Sequence, residues 1–180
     1  MSAFVIQGIG FVAMTAFIIS YQIKSNRALY LCQLIGSALF CLQFFLLDAA
    51  SGCLSLALNI LRSLLLLRYN EWRWVRSKAV PLLLVIAFAL VLRFTWAGPV
   101  SLLAFVASAV STVGYFSNNA RTIRLSNLLV ASPCWIVYDL IVGSWGGAVS
   151  EIITVTSILI SIYRFGWRAL GEPNSRFQQE

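Results

Sequence analysis

The chain has 180 residues, 60% of them hydrophobic and 11% charged, with thirteen Lys and Arg against six Asp and Glu. A soluble domain carries about 25% charged residues, so this composition excludes an ordinary water-soluble enzyme or scaffold. There is no histidine, which removes the usual general base, metal ligand and pH switch.

Seven apolar runs follow one another, at about 3–20, 29–47, 51–68, 79–95, 99–116, 125–143 and 147–165. Each is long enough to cross roughly 30 Å of hydrocarbon as a helix, which predicts an all-α membrane protein of seven transmembrane helices with the lipid bilayer as its partner. The first run has neither a basic leader nor a small-residue cleavage pattern, so a retained helix is expected there.

The cations fall in every second gap. With the amino terminus outside, the cytoplasmic segments hold Lys24 and Arg27, then Arg68, Arg73, Arg76 and Lys78, then Arg121 and Arg124, then Arg164, Arg168 and Arg176. Only Arg93 falls in an outer loop, and Arg62 sits inside a span. Cytoplasmic loops retain Lys and Arg. The expected protein is therefore multi-pass in a membrane, N-terminus outside and C-terminus cytoplasmic. Retained loops also account for the +7 net charge, so no nucleic-acid partner is expected.

The outer connections are short, at about Asp48-Ala49-Ala50, Thr95–Gly98 and Ser144-Trp145-Gly146, which makes the joined helices antiparallel neighbours. The longest cytoplasmic connection is Tyr69–Lys78. Trp72, Trp74, Trp96, Trp145 and Trp167 fall near span ends as an aromatic belt, whereas Trp135 lies mid-span.

The two halves are weakly alike at an offset of 95 residues, which pairs Phe40 with Trp135 and Gly52 with Gly147. Two three-helix units of like orientation need a lone fourth helix to return the chain, a 3+1+3 arrangement of parallel repeats. The expected organisation is a first repeat over 1–70, a cytoplasmic loop and linker helix over 71–97, a second repeat over 98–170, and a polar tail over 171–180.

Ionisable groups in hydrocarbon cost about 2.5–3.5 kcal/mol each on insertion scales, so they face the bundle interior and find partners. Here they are Arg62, Asp139 and Glu151, with Asn59 as a neutral companion on the Arg62 face. Measured from Gly52 and Gly147, Arg62 lies deeper than Glu151 by about 9 Å. Two arrangements follow: a cluster of Asn59, Arg62 and Glu151, or an Arg62 that snorkels to the cytoplasmic interface. Asp139 either joins Asp48 and Glu151 in an acidic outer mouth or is merely interfacial. Pro133 is expected to kink the sixth span. The small residues Ala104, Ala107 and Ser111 read as close-packing positions. Cys32, Cys41, Cys53 and Cys134 form no C-x-x-C pair, so neither a zinc site nor a disulfide framework is indicated, and no cofactor is expected.

Leu58-Asn59-Ile60-Leu61-Arg62, Cys134-Trp135-Ile136-Val137-Tyr138, Gly143-Ser144-Trp145-Gly146-Gly147 followed by Glu151, and Tyr163-Arg164-Phe165 resemble the YgjV-type bacterial inner-membrane proteins over nearly the whole chain. More distantly, Trp135–Tyr138 and the three-one-three arrangement are similar to the SWEET and PQ-loop sugar and amino-acid transporters. That likeness implies a central solute site lined by Trp135 and Glu151 from one half, and by Phe40 with Asn59 or Leu56 from the other. The Pro-Gln dipeptide of those transporters is replaced by Tyr21-Gln22 and Phe116-Ser117, and only Pro133 remains of their hinge prolines. A charged Glu151 also argues against an unmodified sugar site.

The function expected is transport of a small polar solute, still unidentified, with Asn59, Arg62, Trp135, Glu151, Phe40, Tyr138 and Asp139 as substrate-binding candidates. Arg62 favours an anion, the acidic mouth a cation, and a zwitterion fits both. The alternative is a structural or regulatory membrane protein whose polar cluster only locks helices together. An enzyme is not expected: Tyr138-Asp139 resembles half of an intramembrane aspartyl protease site, but no second Asp stands in a matching context. A monomer suffices for a path within one chain, and a homo-oligomer remains open.

Overall fold

The computed structural model describes residues 3–22, 26–117 and 119–166. The expectations for Lys24, Trp167, Arg168, Arg176 and the tail from Gly171 lie outside the described residues.

Among the described residues every regular element is helical: α1 (Ala3–Gln22), α2 (Asn26–Leu46), α3 (Ala50–Leu67), α4 (Ala79–Phe94), α5 (Val100–Phe116), α6 (Ala120–Ser126), α7 (Ser132–Val142) and α8 (Trp145–Phe165). A π-helical stretch over Asn127–Ala131 fuses α6 and α7 into one run. Four stretches are long and apolar enough to cross a membrane: Arg27–Leu46, Ala50–Leu67, Ala120–Val142 and Trp145–Arg164. Phe4–Ser20, Ala79–Phe94 and Val100–Phe116 are shorter apolar helices.

The apolar runs locate the helices but misplace two starts. The second begins at Asn26, and the sixth begins at Ala120 because Asn119 caps it, accepting from the N–H groups of Arg121 at 2.9 Å and Thr122 at 3.3 Å. The cap draws Arg124 out of the expected cytoplasmic loop and onto a helix. There it is buried, donating from Nε to the Ser161 hydroxyl at 2.9 Å and from Nη1 to the Ala120 carbonyl at 3.1 Å. At Pro133, which has no N–H to give the preceding turn, the chain answers with the wider π turn immediately upstream.

Packing follows a closed circuit. α1 packs on α2 and α8, α2 on α3, α3 on α5, α5 on the α6–α7 run, and α7 on α8. These six form a ring, and α4 stands outside it against α3 and α5. α3 and α8 therefore face each other across the ring, as do α2 and α7.

Each ring helix carries a polar stripe inward and an apolar face outward. On α3, Ser51, Ser55, Asn59, Arg62 and Ser63 are buried, while Leu54, Leu61 and Leu64 are exposed. On α8, Ser150, Thr154, Ser157 and Ser161 are buried, while Ile152, Leu159 and Ile160 are exposed. This polarity is the reverse of a soluble bundle and suits a hydrocarbon solvent.

The α1–α8 seam closes through two glycines. A Cβ on Gly146 would lie 3.1 Å from the Gly10 carbonyl carbon and 3.2 Å from its Cα. Replacing Gly146 with leucine should therefore push the two backbones apart and destabilise the fold by about 1–3 kcal/mol. Gly8→Ala should be neutral, since nothing lies within 4 Å of its Cβ position. Thermal unfolding midpoints in detergent micelles measure both.

Candidate functional site: a polar cavity inside the helix ring

A cavity of about 50 Å³ lies inside the ring, and all six ring helices contribute to its wall. Phe17 comes from α1, Phe40 and Phe44 from α2, Asn59 and Arg62 from α3, and Ser111 and Tyr115 from α5. Trp135 and Asp139 come from α7, and Gly147 and Glu151 from α8. Ligand pockets for drug-sized molecules run to about 300–1,000 Å³, so this one has room for only a few water-sized groups.

Six of the seven residues singled out by sequence, Phe40, Asn59, Arg62, Trp135, Asp139 and Glu151, share this wall. Tyr138 stands just behind it. Its ring lies edge-on to Phe44 and Trp135, with centroids 5.7 and 5.4 Å away. Its hydroxyl accepts from the Gly52 N–H at 2.8 Å and meets the Ser51 hydroxyl at 2.9 Å. Gly52 is in the first turn of α3, where backbone N–H groups have no partner within the helix. Tyr138 thus caps α3 from α7.

Arg62 is buried and does not snorkel. Its Nη1 donates to Ser111 Oγ at 2.8 Å and Thr112 Oγ1 at 3.1 Å, and its guanidinium carbon sits 4.5 Å from the centre of the Tyr115 ring. Both hydroxyls give their own protons to the Ser108 carbonyl, at 3.1 and 2.7 Å, leaving lone pairs for the arginine. Ser111, read from sequence as a packing position, is therefore an acceptor for Arg62. The serines of α5 were missed as partners because small hydroxyls at helical spacing look the same as packing residues.

Asn59 donates weakly to Ser108 Oγ at 3.5 Å, while its buried Oδ1 has no hydrogen-bond partner. Asp139 is 2% exposed, so its carboxyl is buried within the protein. Its Oδ1 also has no partner. Gly147 leaves room for this carboxyl: a Cβ there would lie 2.6 Å from both Asp139 Oδ2 and the Ser144 hydroxyl. Glu151, half-buried, is hydrogen-bonded by Ser132. Phe44 and Trp135 stack across the ring at 6.1 Å and 14°.

At the short-turn end amide side chains bridge the ring helices. Gln7 donates to the Gly143 carbonyl at 3.0 Å and accepts from Gln43 at 3.4 Å, and the Ser144 hydroxyl donates to Gln43 Oε1 at 3.2 Å. Neither glutamine stood out in sequence, since neutral amides in apolar runs carry no charge signal.

Described residues whose regular elements are all helical, four of them membrane-length and apolar, with an apolar exterior and a buried polar cavity, define a helical membrane protein. Residues 4–169 match the family Imp-YgjV, bacterial inner membrane protein, and the chain belongs to that family. It is similar to Inner membrane protein YgjV of Escherichia coli (strain K12), with 28% identity over 162 residues, 90% of this chain and 84% of the relative. No solved structure matches it.

Tyr138→Phe removes one hydroxyl that serves two groups of α3. It should lower stability by about 1–3 kcal/mol, the cost of leaving a buried donor unsatisfied. Ser51→Ala, which leaves the Gly52 N–H capped, should cost less. Equilibrium unfolding in mixed micelles compares the two.

Proposed function

We propose that the protein is a carrier for a small polar solute, with its site in the cavity between two like-oriented helix triplets. The observation that carries this reading is the pair of buried, unpartnered acceptors, Asn59 Oδ1 and Asp139 Oδ1, on residues that line the cavity. Polar clusters that only hold helices together satisfy their buried atoms among themselves. Acceptors left open at a cavity suit a solute that comes and goes.

In this reading seven helical runs cross the bilayer and the halves repeat at an offset of 95. Shifted by that offset, α5, the α6–α7 run and α8 begin and end within about five residues of α1, α2 and α3. Gly52 lies against Phe44 and Gly147 against Asp139, the same contact one offset apart. α4 is the return helix, outside the ring. The end that holds Arg68, Arg73, Arg76, Arg121 and Arg164 faces the cytoplasm. One chain encloses the whole cavity wall, so a single copy suffices, and no catalytic step is assigned to it.

A second reading has a specific observation behind it. Arg62 ties α3 to α5 through two hydroxyls and an aromatic face, an arrangement that suits a structural lock. The two readings separate by residue. Membrane vesicles holding wild type, Asn59→Ala, Glu151→Gln or Arg62→Met can be screened for electrogenic or isotopic uptake over amines, amino acids, sugars and organic acids. Asn59→Ala and Glu151→Gln should lower uptake by about tenfold or more at unchanged protein level, whereas Arg62→Met should lower protein level and melting temperature as well. A solute response identical in wild type and both cavity variants overturns the carrier reading.

A further inference from the structure

The cation of the cavity is mostly committed, its Nε alone lacking a hydrogen-bond partner, whereas two of the acceptors are open. Arg62 is bound to the two α5 hydroxyls and the Tyr115 face. Asn59 and Asp139 are 4% and 2% exposed, and each keeps an oxygen with no donor. Glu151 adds a second carboxyl to the same wall. Open acceptors on this wall therefore outnumber open donors, and carboxyls outnumber cations by two, Asp139 and Glu151, to one, Arg62.

The remaining wall is aromatic. Phe40, Phe44 and Trp135 line the cavity, with Phe44 and Trp135 nearly parallel. Aromatic faces attract cations, most strongly where water is excluded. An anion would meet two carboxyls and one guanidinium that already binds Ser111 and Thr112. A sugar brings no positive charge to the two carboxyls, and the carboxylate of a zwitterion would have to be met by Arg62, which already makes two hydrogen bonds to α5. Metal ions take oxygen-rich shells, and no group of three or more candidate metal-ligating His, Cys, Asp or Glu side chains occurs among the described residues. The volume of about 50 Å³ admits only a few heavy atoms.

We infer that the solute is a small organic ammonium cation, its N–H groups directed at Asp139 and Asn59 and its carbon at the aromatic wall of Phe40, Phe44 and Trp135. This rests on the carrier reading and narrows it to one chemical class. Thr154, one turn beyond Glu151 on α8, has a buried hydroxyl oxygen without a partner and extends the acceptor-rich side of the ring.

The test uses the full chain in lipid nanodiscs, titrated calorimetrically with methylammonium or ethylammonium chloride. Sodium chloride, magnesium chloride, sodium acetate and glycine serve as comparisons at matched ionic strength. Saturable binding of an alkylammonium is expected, weakened about tenfold or more in Asp139→Asn and Asn59→Ala. Trp135→Leu, which leaves every hydrogen-bond partner of the cavity in place, should weaken it less and guards against a variant that fails to fold. Binding of acetate and not of alkylammonium overturns the inference, as does an alkylammonium response unchanged in all three variants, or none at all. Flux of methylammonium into proteoliposomes is then measured with the same protein. Binding without flux leaves the cation site and removes the carrier. Flux of an anion or sugar without alkylammonium binding leaves the carrier and removes the cation.

Discussion

Hydrocarbon offers no hydrogen bonds. A polar side chain on a membrane helix must find its partner on another helix, and this constraint orders the whole molecule. The stripes of α3, α5 and α8 are its direct expression. Ser55, Asn59 and Arg62 turn inward on α3, Ser108, Ser111 and Thr112 on α5, and Ser150, Thr154 and Ser161 on α8. Once each helix has one polar face, a ring is the arrangement that lets all of those faces meet. α4, whose buried residues Val80, Leu84 and Phe88 are all apolar, has no such face and stands outside.

The interior so formed is uneven in how well its groups are matched. Toward the deeper half, Arg62 and Arg124 each find hydroxyl acceptors on a neighbouring helix. Toward the short-turn end, Gln7, Gln43, Ser144 and Tyr138 bond one another or the backbone and draw the ring shut. The matching is incomplete at Asn59 Oδ1, Asp139 Oδ1, Thr154 Oγ1 and the Nε of Arg62. A membrane helix leaves a buried polar atom unsatisfied at a cost of about 1–3 kcal/mol each. Asn59, Arg62 and Asp139, which carry three of these atoms, line one small cavity.

The helices were legible because hydrophobic runs and their basic gaps report the bilayer directly, and the site candidates because a charge in such a run has few reasons to be there. Arg62, Asp139 and Glu151 announced themselves in this way. Three things were not legible. Arg124 looked like a loop cation, because the cap that begins its helix is a single Asn119 side chain accepting two backbone N–H groups. The acceptors of Arg62 looked like packing residues. The neighbour of Arg62 was also hidden, since ring order depends on contacts between helices far apart in sequence: α3 lies against α5, and Glu151 waits on the opposite wall.

Whether the unmatched oxygens face a space that opens to water is the question on which the account turns. The direct measurement is thiol accessibility in native membranes, after the four native cysteines have been replaced. Ser37→Cys and Leu56→Cys place a thiol at the cavity wall, and Leu61→Cys places one on the outward, lipid-facing side of α3. The account predicts that a small charged methanethiosulfonate labels Ser37→Cys and Leu56→Cys and leaves Leu61→Cys untouched. Failure to label either cavity position, under conditions that label a thiol in the Tyr69–Lys78 connection, would mean that the ring never opens and that its polar core only holds helices together.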